Sequence, residues 1–304
     1  MLATLFREPG GPEVLEVTEL PLPAPGPGEV LVRVEAAGIQ PADTAIRSGW
    51  APRGVTVEYP ATPGNEFAGV VTRLGEGVNG WATGDEVLGF RLLGCHAQYV
   101  VVPAEQVVAR PAGMDWAEAG SLSASGQTAH VALSALGVTA GDTVLVHAAA
   151  GGVGSVAVQL ARAWGATVIG TASGANHAYL RSLGAIPVTY GDGLADRVRA
   201  VAPHGVDAAL DAAGRDALVP SLALVPDRTR IGTIADPAAE GLGVRWLYGP
   251  RSAARLAELT ALWEQGRLRL TVSAAFPLAR AAEAHRLVEA GHVRGKAVIL
   301  PWAE

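Results

Sequence analysis

The sequence predicts an α/β protein of two domains, a β-rich domain at the amino terminus followed by a doubly wound parallel-sheet domain. The length of 304 residues exceeds the roughly 100–200 residues of one ordinary domain. Short apolar runs separated by Pro and Gly fill residues 1 to 115, which is typical of small twisted β structure. From residue 118 onward, runs of strand length alternate with stretches of helical periodicity. That alternation predicts a parallel sheet covered by helices on both faces.

Composition narrows the class of protein. Apolar residues make up 49% and charged residues 17% of the chain, as in a globular protein. The net charge of −6 gives no basic surface for nucleic acid or for anionic lipid headgroups, so neither is an expected partner. Cys95 is the single cysteine, which excludes an intramolecular disulfide. No signal peptide is visible at the amino terminus, and we therefore expect a cytoplasmic protein.

The pattern of apolar residues places individual elements. In the first half, strands are predicted near residues 29–36, 68–74 and 97–102, and the proline-rich stretch 21–28 is predicted as a loop. In the second half, the predicted strands are 142–148, 167–172, 186–190, 206–211 and 230–234, and the predicted helices are 124–136, 153–164, 176–183, 194–202 and 217–225. A helix at 253–265, a strand at 271–276, a helix at 279–290 and a strand at 297–300 complete the chain. Periodicity does not decide which domain the last strand joins.

A glycine-rich turn lies between the first strand and first helix of the second half. It reads Ala149-Ala150-Gly151-Gly152-Val153-Gly154, and the helix opens at once. Gly151 would let the backbone approach a pyrophosphate, Gly154 would let helix and strand pack closely, and the helix amino terminus would offer N–H groups to the anion. A glycine pair also marks plain turns, but the strand before it and the helix after it favour a dinucleotide site.

The next strand ends without the acidic residue that holds the ribose of NAD. It reads Gly170-Thr171-Ala172-Ser173, so no carboxylate would repel a 2′-phosphate. Ser173 could donate a hydrogen bond, His177 and Arg181 could add positive charge, and Tyr190 ends the neighbouring strand. NADP(H) is therefore favoured over NAD(H). In the alternative interpretation Ser173 only caps a helix and His177 is a solvated surface residue.

The candidate cofactor-binding residues share a position at the carboxyl ends of predicted strands, where ligands bind in open parallel sheets. They are Ala150, Gly151, Gly152, Val153, Gly154, Thr171, Ser173, His177, Tyr190, Ala212, Ala213, Thr233 and Ile234.

With these residues in view, the chain resembles the quinone oxidoreductase (zeta-crystallin-like) branch of the medium-chain dehydrogenase/reductase superfamily. The segments that carry the resemblance are 38–44, 46–49, 63–69, 84–87, 144–154, 183–185 and 291–296. The resemblance implies a GroES-like catalytic domain of residues 1–117 with 272–304 and a Rossmann NADP-binding domain of residues 118–271. It also implies a cofactor in the cleft between them and a homodimer, for which the strand at 230–234 is a candidate edge.

Zinc-dependent relatives have a cysteine where Gln40 stands and a histidine where Asn65 stands. A catalytic zinc needs about three N, S or O ligands from protein side chains. Cys95-His96 is the only adjacent soft pair, and the seven histidines show no metal-ligand spacing, so no metal site is predicted. A plain structural role is the favoured interpretation of Cys95 and His96.

Without a Lewis acid, the chemistry that fits is hydride delivery to an acceptor that is already activated, a quinone or an α,β-unsaturated carbonyl. By resemblance, Gln40 lies near the nicotinamide and the substrate oxygen, Thr128 faces the same cleft, and Trp50 reshapes the pocket. These three are the candidate catalytic residues. Asp43, Arg47 and Glu66 also lie in motif segments, but hydrogen bonds that hold the domain together are the favoured interpretation of them.

Two alternatives stay open. An enoyl-thioester reductase would share fold and cofactor, although no arginine cluster for a carrier phosphate is apparent. A nucleotide-binding structural or regulatory protein would keep the fold without turnover. The segment 235–251 is shorter than in typical relatives, so Trp246, Leu247 and Tyr248 are expected to form an altered wall of the substrate pocket.

Overall fold

The computed structural model describes residues 1–303, which form two compact units. Unit 1 comprises Met1–Ala124, Arg251–Ala261 and residues 270–303, and unit 2 comprises Ser125–Pro250 and Leu262–Arg269. The boundaries predicted for the catalytic and cofactor domains stay a prediction. No helix within residues 1–303 is long and apolar enough to cross a membrane.

The elements of the first 135 residues are mostly strands. They are β1 (Leu2–Leu5), β2 (Glu16–Glu19), β3 (Glu29–Ile39), α1 (Pro41–Arg47), β4 (Glu66–Leu74), β5 (Glu86–Phe90), β6 (Tyr99–Pro103), β7 (Val107–Ala109) and α2 (Trp116–Ala135).

Strands and helices then alternate. The elements are β8 (Thr143–Val146), α3 (Gly152–Ala163), β9 (Thr167–Thr171), α4 (His177–Ser182), β10 (Ile186–Val188), α5 (Leu194–Val201), β11 (Ala208–Asp211), α6 (Leu218–Leu224), β12 (Ile231–Thr233) and β13 (Arg245–Trp246). The last elements are α7 (Ala253–Glu264), β14 (Val272–Pro277), α8 (Ala281–Glu289) and β15 (Lys296–Leu300).

Unit 1 is built on a seven-stranded sheet. Its strands follow the order β14, β15, β3, β4, β5, β7, and β6 also pairs with β3. The central strand β3 places Val30, Val32 and Val34 in the core at alternate positions, as the period of a strand requires. The last strand, β15, pairs antiparallel with β3, so the question that periodicity left open is answered in favour of this sheet.

Unit 2 is built on a six-stranded sheet in which every pairing is parallel. The order is β10, β9, β8, β11, β12, β13. The chain therefore moves outward from β8 to β10, returns to the far side of β8, and moves outward again. This is the doubly wound Rossmann order, and it confirms the predicted fold class.

One expectation about the edge of this sheet is wrong. The strand predicted at 230–234 is β12, and it is covered on its outer side by the short parallel strand β13. The free edge within residues 1–303 is therefore β13. A two-residue strand gives too little period-2 pattern to be predicted from the sequence. The homodimer itself stays a prediction.

Other differences concern where elements begin and end. The strand predicted at 142–148 ends at Val146, because Ala148 has a φ of 51°, outside the β region. The helix predicted from residue 124 begins at Trp116. Helix α1 has 7 residues and was not predicted. Proline at its first position, Pro41, is also typical of loops.

A buried polar cluster packs beneath α1 in unit 1. His285 on α8 is fully buried, and within residues 1–303 neither of its ring nitrogens has a partner. Its ring packs edge-on against His96 at 5.8 Å between centroids. Burial, aided by His96 and Arg47, lowers the pKa of His285 to about 2. This histidine is therefore neutral in the folded protein at any ordinary pH.

Replacing His285 with Phe tests this conclusion. In the unfolded chain the imidazole takes up a proton below about pH 6.5, whereas in the folded protein it stays neutral, so each pH unit below that value costs the folded state about 1.4 kcal/mol. Between about pH 7.5 and about pH 5, the free energy of unfolding should fall by about 2 kcal/mol less in His285→Phe than in the wild type. Urea titrations at both pH values measure this, with the exposed His204→Phe as control. Equal pH dependence in His285→Phe and the wild type would contradict it.

Candidate active site

The glycine-rich turn lies at the point where the sheet of unit 2 reverses its strand order. It follows β8, the central strand, and Gly151 is the N-cap of α3 with φ −80° and ψ −178°. The Gly151 N–H donates to Ala148 O at 2.9 Å, and the Ala149 N–H donates to Thr171 O at 3.0 Å. These bonds hold the turn against the end of β9.

Gly154 is required by close packing. A Cβ there would lie 2.2 Å from Ala148 O and 2.7 Å from the Ala149 Cα, both backbone atoms. Helix α3 therefore begins directly against the turn. Because the first N–H groups of a helix have no acceptor within it, Gly152, Val153 and Gly154 present backbone donors suited to a phosphate.

The ends of β9 and β10 bring the candidate residues for the ribose side together. The Asn176 amide donates to Ser173 Oγ at 3.3 Å, and His177 Nε2 lies 3.3 Å from Thr189 Oγ1. Tyr190 is 54% exposed, so its ring is available to a ligand. The structure therefore places Ser173, His177 and Tyr190 around one end of the sheet.

Arg197 on α5 fixes the loop that follows β10. Its guanidinium donates to four successive backbone carbonyls, those of Thr189 (3.0 Å), Tyr190 (3.3 Å), Gly191 (3.1 Å) and Asp192 (2.6 Å). Arg197 was not predicted from the sequence, since an arginine on an exposed helix face carries no distinguishing signal.

The ends of β11 and β12 are tied by a buried carboxylate. Asp211 accepts from the Ala213 N–H at 2.7 Å and from Thr233 Oγ1 at 2.7 Å. The Ile234 N–H donates to Asp211 O at 3.0 Å. Because the Thr233 hydroxyl is engaged, Ala212, Ala213, Thr233 and Ile234 present mainly backbone to a ligand.

His147, next to the glycine turn, is buried and neutral. Its Nε2 lies 2.9 Å from Ser221 Oγ. Burial lowers the pKa of His147, and the nearby Asp211 only partly opposes this effect. The histidine therefore supports the turn as an uncharged hydrogen-bonding group.

In unit 1, the amino terminus of α1 organises a second group of polar residues. The Gln40 N–H donates to Asp43 Oδ2 at 2.8 Å, and the Asn65 amide donates to Asp43 Oδ1 at 2.8 Å. Asp43 is fully buried, and burial raises the pKa of its carboxyl, although His96 and these donors oppose the effect. Asp43 thus joins the loop of Gln40 to the turn of Asn65.

Glu66 is the centre of this group. Its carboxylate accepts from the Gln40 amide, from the Ala124 N–H at 2.6 Å and from Lys296 Nζ at 2.9 Å. Glu66 and Lys296 are 0% and 2% exposed in their side chains. A buried ion pair with this many donors fixes the positions of all its members.

Arg251 completes the group from a distant part of the chain. Its guanidinium donates to Asn65 O at 2.6 Å and to Asn65 Oδ1 at 2.7 Å. Asn65 is therefore bonded on both sides of its amide, to Asp43 and to Arg251. Burial lowers the pKa of Arg251, with Glu66 and Asp43 opposing. Neither Arg251 nor its contact with Asn65 was predicted, because no local pattern connects residues 186 positions apart.

Two of the three candidate catalytic residues lie in unit 1 and the third lies in unit 2. Gln40 is buried in the unit 1 group, and Trp50, just beyond α1, is 49% exposed. Thr128 is half-buried on α2 within unit 2. Their roles stay predictions. Asp43, Arg47 and Glu66 all hold structural hydrogen bonds, as the favoured interpretation had it, with Arg47 contacting Glu289 and Ser48.

Cys95 and His96 are both buried in the loop before β6. His96 Nε2 lies 3.2 Å from Gly38 O, and burial lowers the pKa of His96 and raises that of the Cys95 thiol. Over residues 1–303, no group of three His, Cys, Asp or Glu side chains is placed to hold a metal ion.

Comparison with known proteins identifies the family. Residues 26–112 match the alcohol dehydrogenase GroES-like domain, and residues 183–299 match the zinc-binding dehydrogenase family. A quinone oxidoreductase of Pseudomonas aeruginosa is 33% identical, covering 97% of this chain and 98% of its own. The chain belongs to the quinone oxidoreductase-like branch of the medium-chain dehydrogenase/reductase superfamily. It is an oxidoreductase of that superfamily, with GroES-like and Rossmann domains.

Two further members of the superfamily are similar over the whole chain. The 2-haloacrylate reductase of a Burkholderia species is 33% identical, covering 100% of both chains. A mycobacterial protein solved in complex with NADPH is 33% identical, with a TM-score of 0.87 over 99% of this chain and 100% of that one. The predicted family and fold are thereby confirmed.

Substitution of Gly154 tests the close packing of the turn. Gly154→Ala places a methyl group against backbone atoms, which we expect to cost about 1–3 kcal/mol of unfolding free energy and, through displacement of the α3 amino terminus, to weaken NADPH binding about tenfold. The control is Gly241→Ala, whose added methyl group meets no atom within 4 Å. Thermal unfolding and NADPH titration measure both effects. Unchanged binding in Gly154→Ala would show that the turn does not hold the cofactor.

Proposed function

We propose that the chain is a zinc-independent, NADPH-dependent reductase that transfers hydride to a quinone or an α,β-unsaturated carbonyl. The observation that carries this proposal is the hydrogen bonding of the Asn65 side-chain amide. Its amide is bonded to Asp43 on one side and to Arg251 on the other. A position that holds a histidine in zinc-dependent relatives is therefore occupied by a buried amide that is already satisfied.

The donor set of unit 1 does not fit a catalytic zinc. Such a zinc takes His, Cys, Asp or Glu ligands, about three from the protein. Gln40 and Asn65 are amides, and the carboxylates beside them, Asp43 and Glu66, are each held by donors from the protein. An acceptor reduced here must therefore carry its own activating group, as quinones and enones do.

The residues of unit 2 fit NADPH. Gly151 to Gly154 offer a close backbone approach and helix N–H groups for the pyrophosphate. Thr171 and Ser173 end β9 without a carboxylate, and His177 lies beside them, which favours a 2′-phosphate. The NADPH-bound mycobacterial relative supports this assignment. When bound, NADPH supplies the hydride, and the acceptor takes up that hydride together with one proton from water.

Within this proposal the protein orients the reactants and excludes water. Gln40 contributes its amide near the acceptor oxygen, where negative charge develops during hydride transfer. Trp50 shapes the pocket in unit 1, and Thr128 keeps the role predicted from the resemblance. The 2-haloacrylate reductase supports an acceptor with a conjugated carbon–carbon double bond, and the quinone oxidoreductase supports a quinone.

Activity of the metal-free protein is the direct test. After treatment with a chelator, we expect NADPH oxidation with members of a panel of quinones and enones, and no gain when Zn²⁺ is added back. The readout is the loss of NADPH absorbance. Activity that disappears with the chelator and returns with Zn²⁺ would contradict zinc independence. Binding of both nicotinamide cofactors without turnover of any acceptor would favour the structural or regulatory alternative.

The preference for NADPH is tested by adding a carboxylate at the end of β9. Ser173→Asp should repel the 2′-phosphate and weaken NADPH binding at least tenfold, whereas NADH binding stays within about threefold. Ser182→Asp, on the exposed side of α4, is the matched control for the added charge. Fluorescence titration with both cofactors distinguishes the cases. Equal weakening of NADH and NADPH would argue against a 2′-phosphate site at Ser173.

A further inference from the structure

Of the two cations in the unit 1 group, Lys296 and Arg251, Arg251 is the one whose hydrogen-bond partners are neutral. Lys296 bonds to the Glu66 carboxylate, whereas Arg251 bonds only to the backbone and amide oxygens of Asn65. With the residues from 1 to 303 it forms no ion pair. Its side chain is half-buried, so it is not sealed inside the core. Asp43 and Glu66 act on this guanidinium only through space, and a partly desolvated guanidinium with no bonded carboxylate is an incomplete electrostatic arrangement.

The two bonds to Asn65 fix the orientation of this cation. Both terminal nitrogens are held, at 2.6 Å and 2.7 Å, on a residue that is itself held by Asp43. A planar guanidinium has more N–H donors than these bonds use, and its geometry matches a carboxylate. The group is therefore preorganised for an anion before any ligand arrives.

Arg251 also lies next to the candidate acceptor site of unit 1. Asn65 precedes Glu66, and Glu66 accepts from the Gln40 amide, so two hydrogen bonds and one peptide link join Arg251 to Gln40. The nearby Asp43 and Glu66 carboxylates are bonded to other donors, and neither forms a salt bridge with the guanidinium. An anionic group of a bound acceptor would complete the arrangement.

We propose that Arg251 binds a carboxylate carried by the acceptor, so that the preferred substrates are α,β-unsaturated carbonyl compounds with a free acid group. This inference rests on the proposed reductase function and names the substrate class for the same site. Arg251 is then a specificity-determining residue. It binds the acid group equally before and during hydride transfer, so it lowers KM more than it raises kcat.

The test compares an acid with its neutral ester in the same reaction. The probes are trans-3-benzoylacrylate and its methyl ester, which share an activated double bond and differ in charge. For the wild type we expect kcat/KM at least tenfold higher for the acid. In Arg251→Met the acid should lose at least thirtyfold, mostly through KM, and at least tenfold more than the ester, which loses only what the release of Asn65 costs. Arg286→Met, an exposed arginine on α8, is the matched control and should leave both values unchanged.

Several outcomes would overturn the proposal. A wild type that does not prefer the acid, or a parallel loss of acid and ester in Arg251→Met, would show that Arg251 only holds Asn65 in place. If Arg251→Met does not fold, Arg251→Lys decides, because it keeps the charge and loses the two-pronged geometry, and its acid-to-ester ratio must still fall.

A binding measurement separates this inference from the proposed reductase function. The saturated analogue 3-benzoylpropionate should bind the NADP⁺ complex of the wild type in calorimetry at least tenfold more tightly than its methyl ester. Arg251→Lys should lose that difference. If no acceptor is turned over, the reductase function fails while this binding result still stands or falls on its own. If ester and quinones are reduced without any acid preference, only the role of Arg251 fails.

Discussion

The arrangement of unit 1 depends on one buried carboxylate. Glu66 lies at the start of β4 and accepts hydrogen bonds from the loop before α1, from the backbone of α2 and from the first residue of β15. Each of these elements comes from a different part of the chain. A buried carboxylate is costly unless its oxygens are fully bonded, so the packing of all three elements is constrained to satisfy it. Of the candidate catalytic residues, Gln40 is bonded directly to this carboxylate.

In unit 2, the candidate cofactor site depends on the backbone geometry of the glycine-rich turn and not on a buried charge. The reversal of strand order at β8 leaves a space at the carboxyl end of that strand, and the turn through Gly151 to Gly154 occupies it. No side chain at position 154 could fit against Ala148 and Ala149. Because Gly154 packs directly on Ala148 and Ala149, the first N–H groups of α3 lie at the end of the sheet. His147, directly before Ala148, bonds to Ser221 as a neutral imidazole, so the donors for a phosphate at this turn are backbone N–H groups.

The sequence predicted those features whose cause is local. Apolar periodicity and the glycine turn were sufficient for the fold class and for the close turn between β8 and α3, since both depend on neighbouring residues. Helix α1 was missed because its Pro41 is equally typical of a loop, and β13 because two residues show no period. The contacts of Asn65 with Arg251 and of Glu66 with Lys296 join residues 186 and 230 positions apart. Only the register of β15 on β3 and the path of the chain into α7 bring them together, and neither leaves a local pattern.

The Asp43–Asn65 contact bears on the proposed zinc independence, in which Gln40 and Asn65 stand where the resemblance places zinc ligands of other members. A metal-bound histidine usually donates its second N–H to a carboxylate, which fixes the ring. Asp43 makes that kind of contact here, but to the Asn65 amide. Within the proposed zinc independence, Asp43 orients an amide where it would orient a metal ligand, and the amide oxygen accepts from Arg251. In the proposed reductase the positive charge beside Asn65 is a guanidinium, which a chelator does not remove.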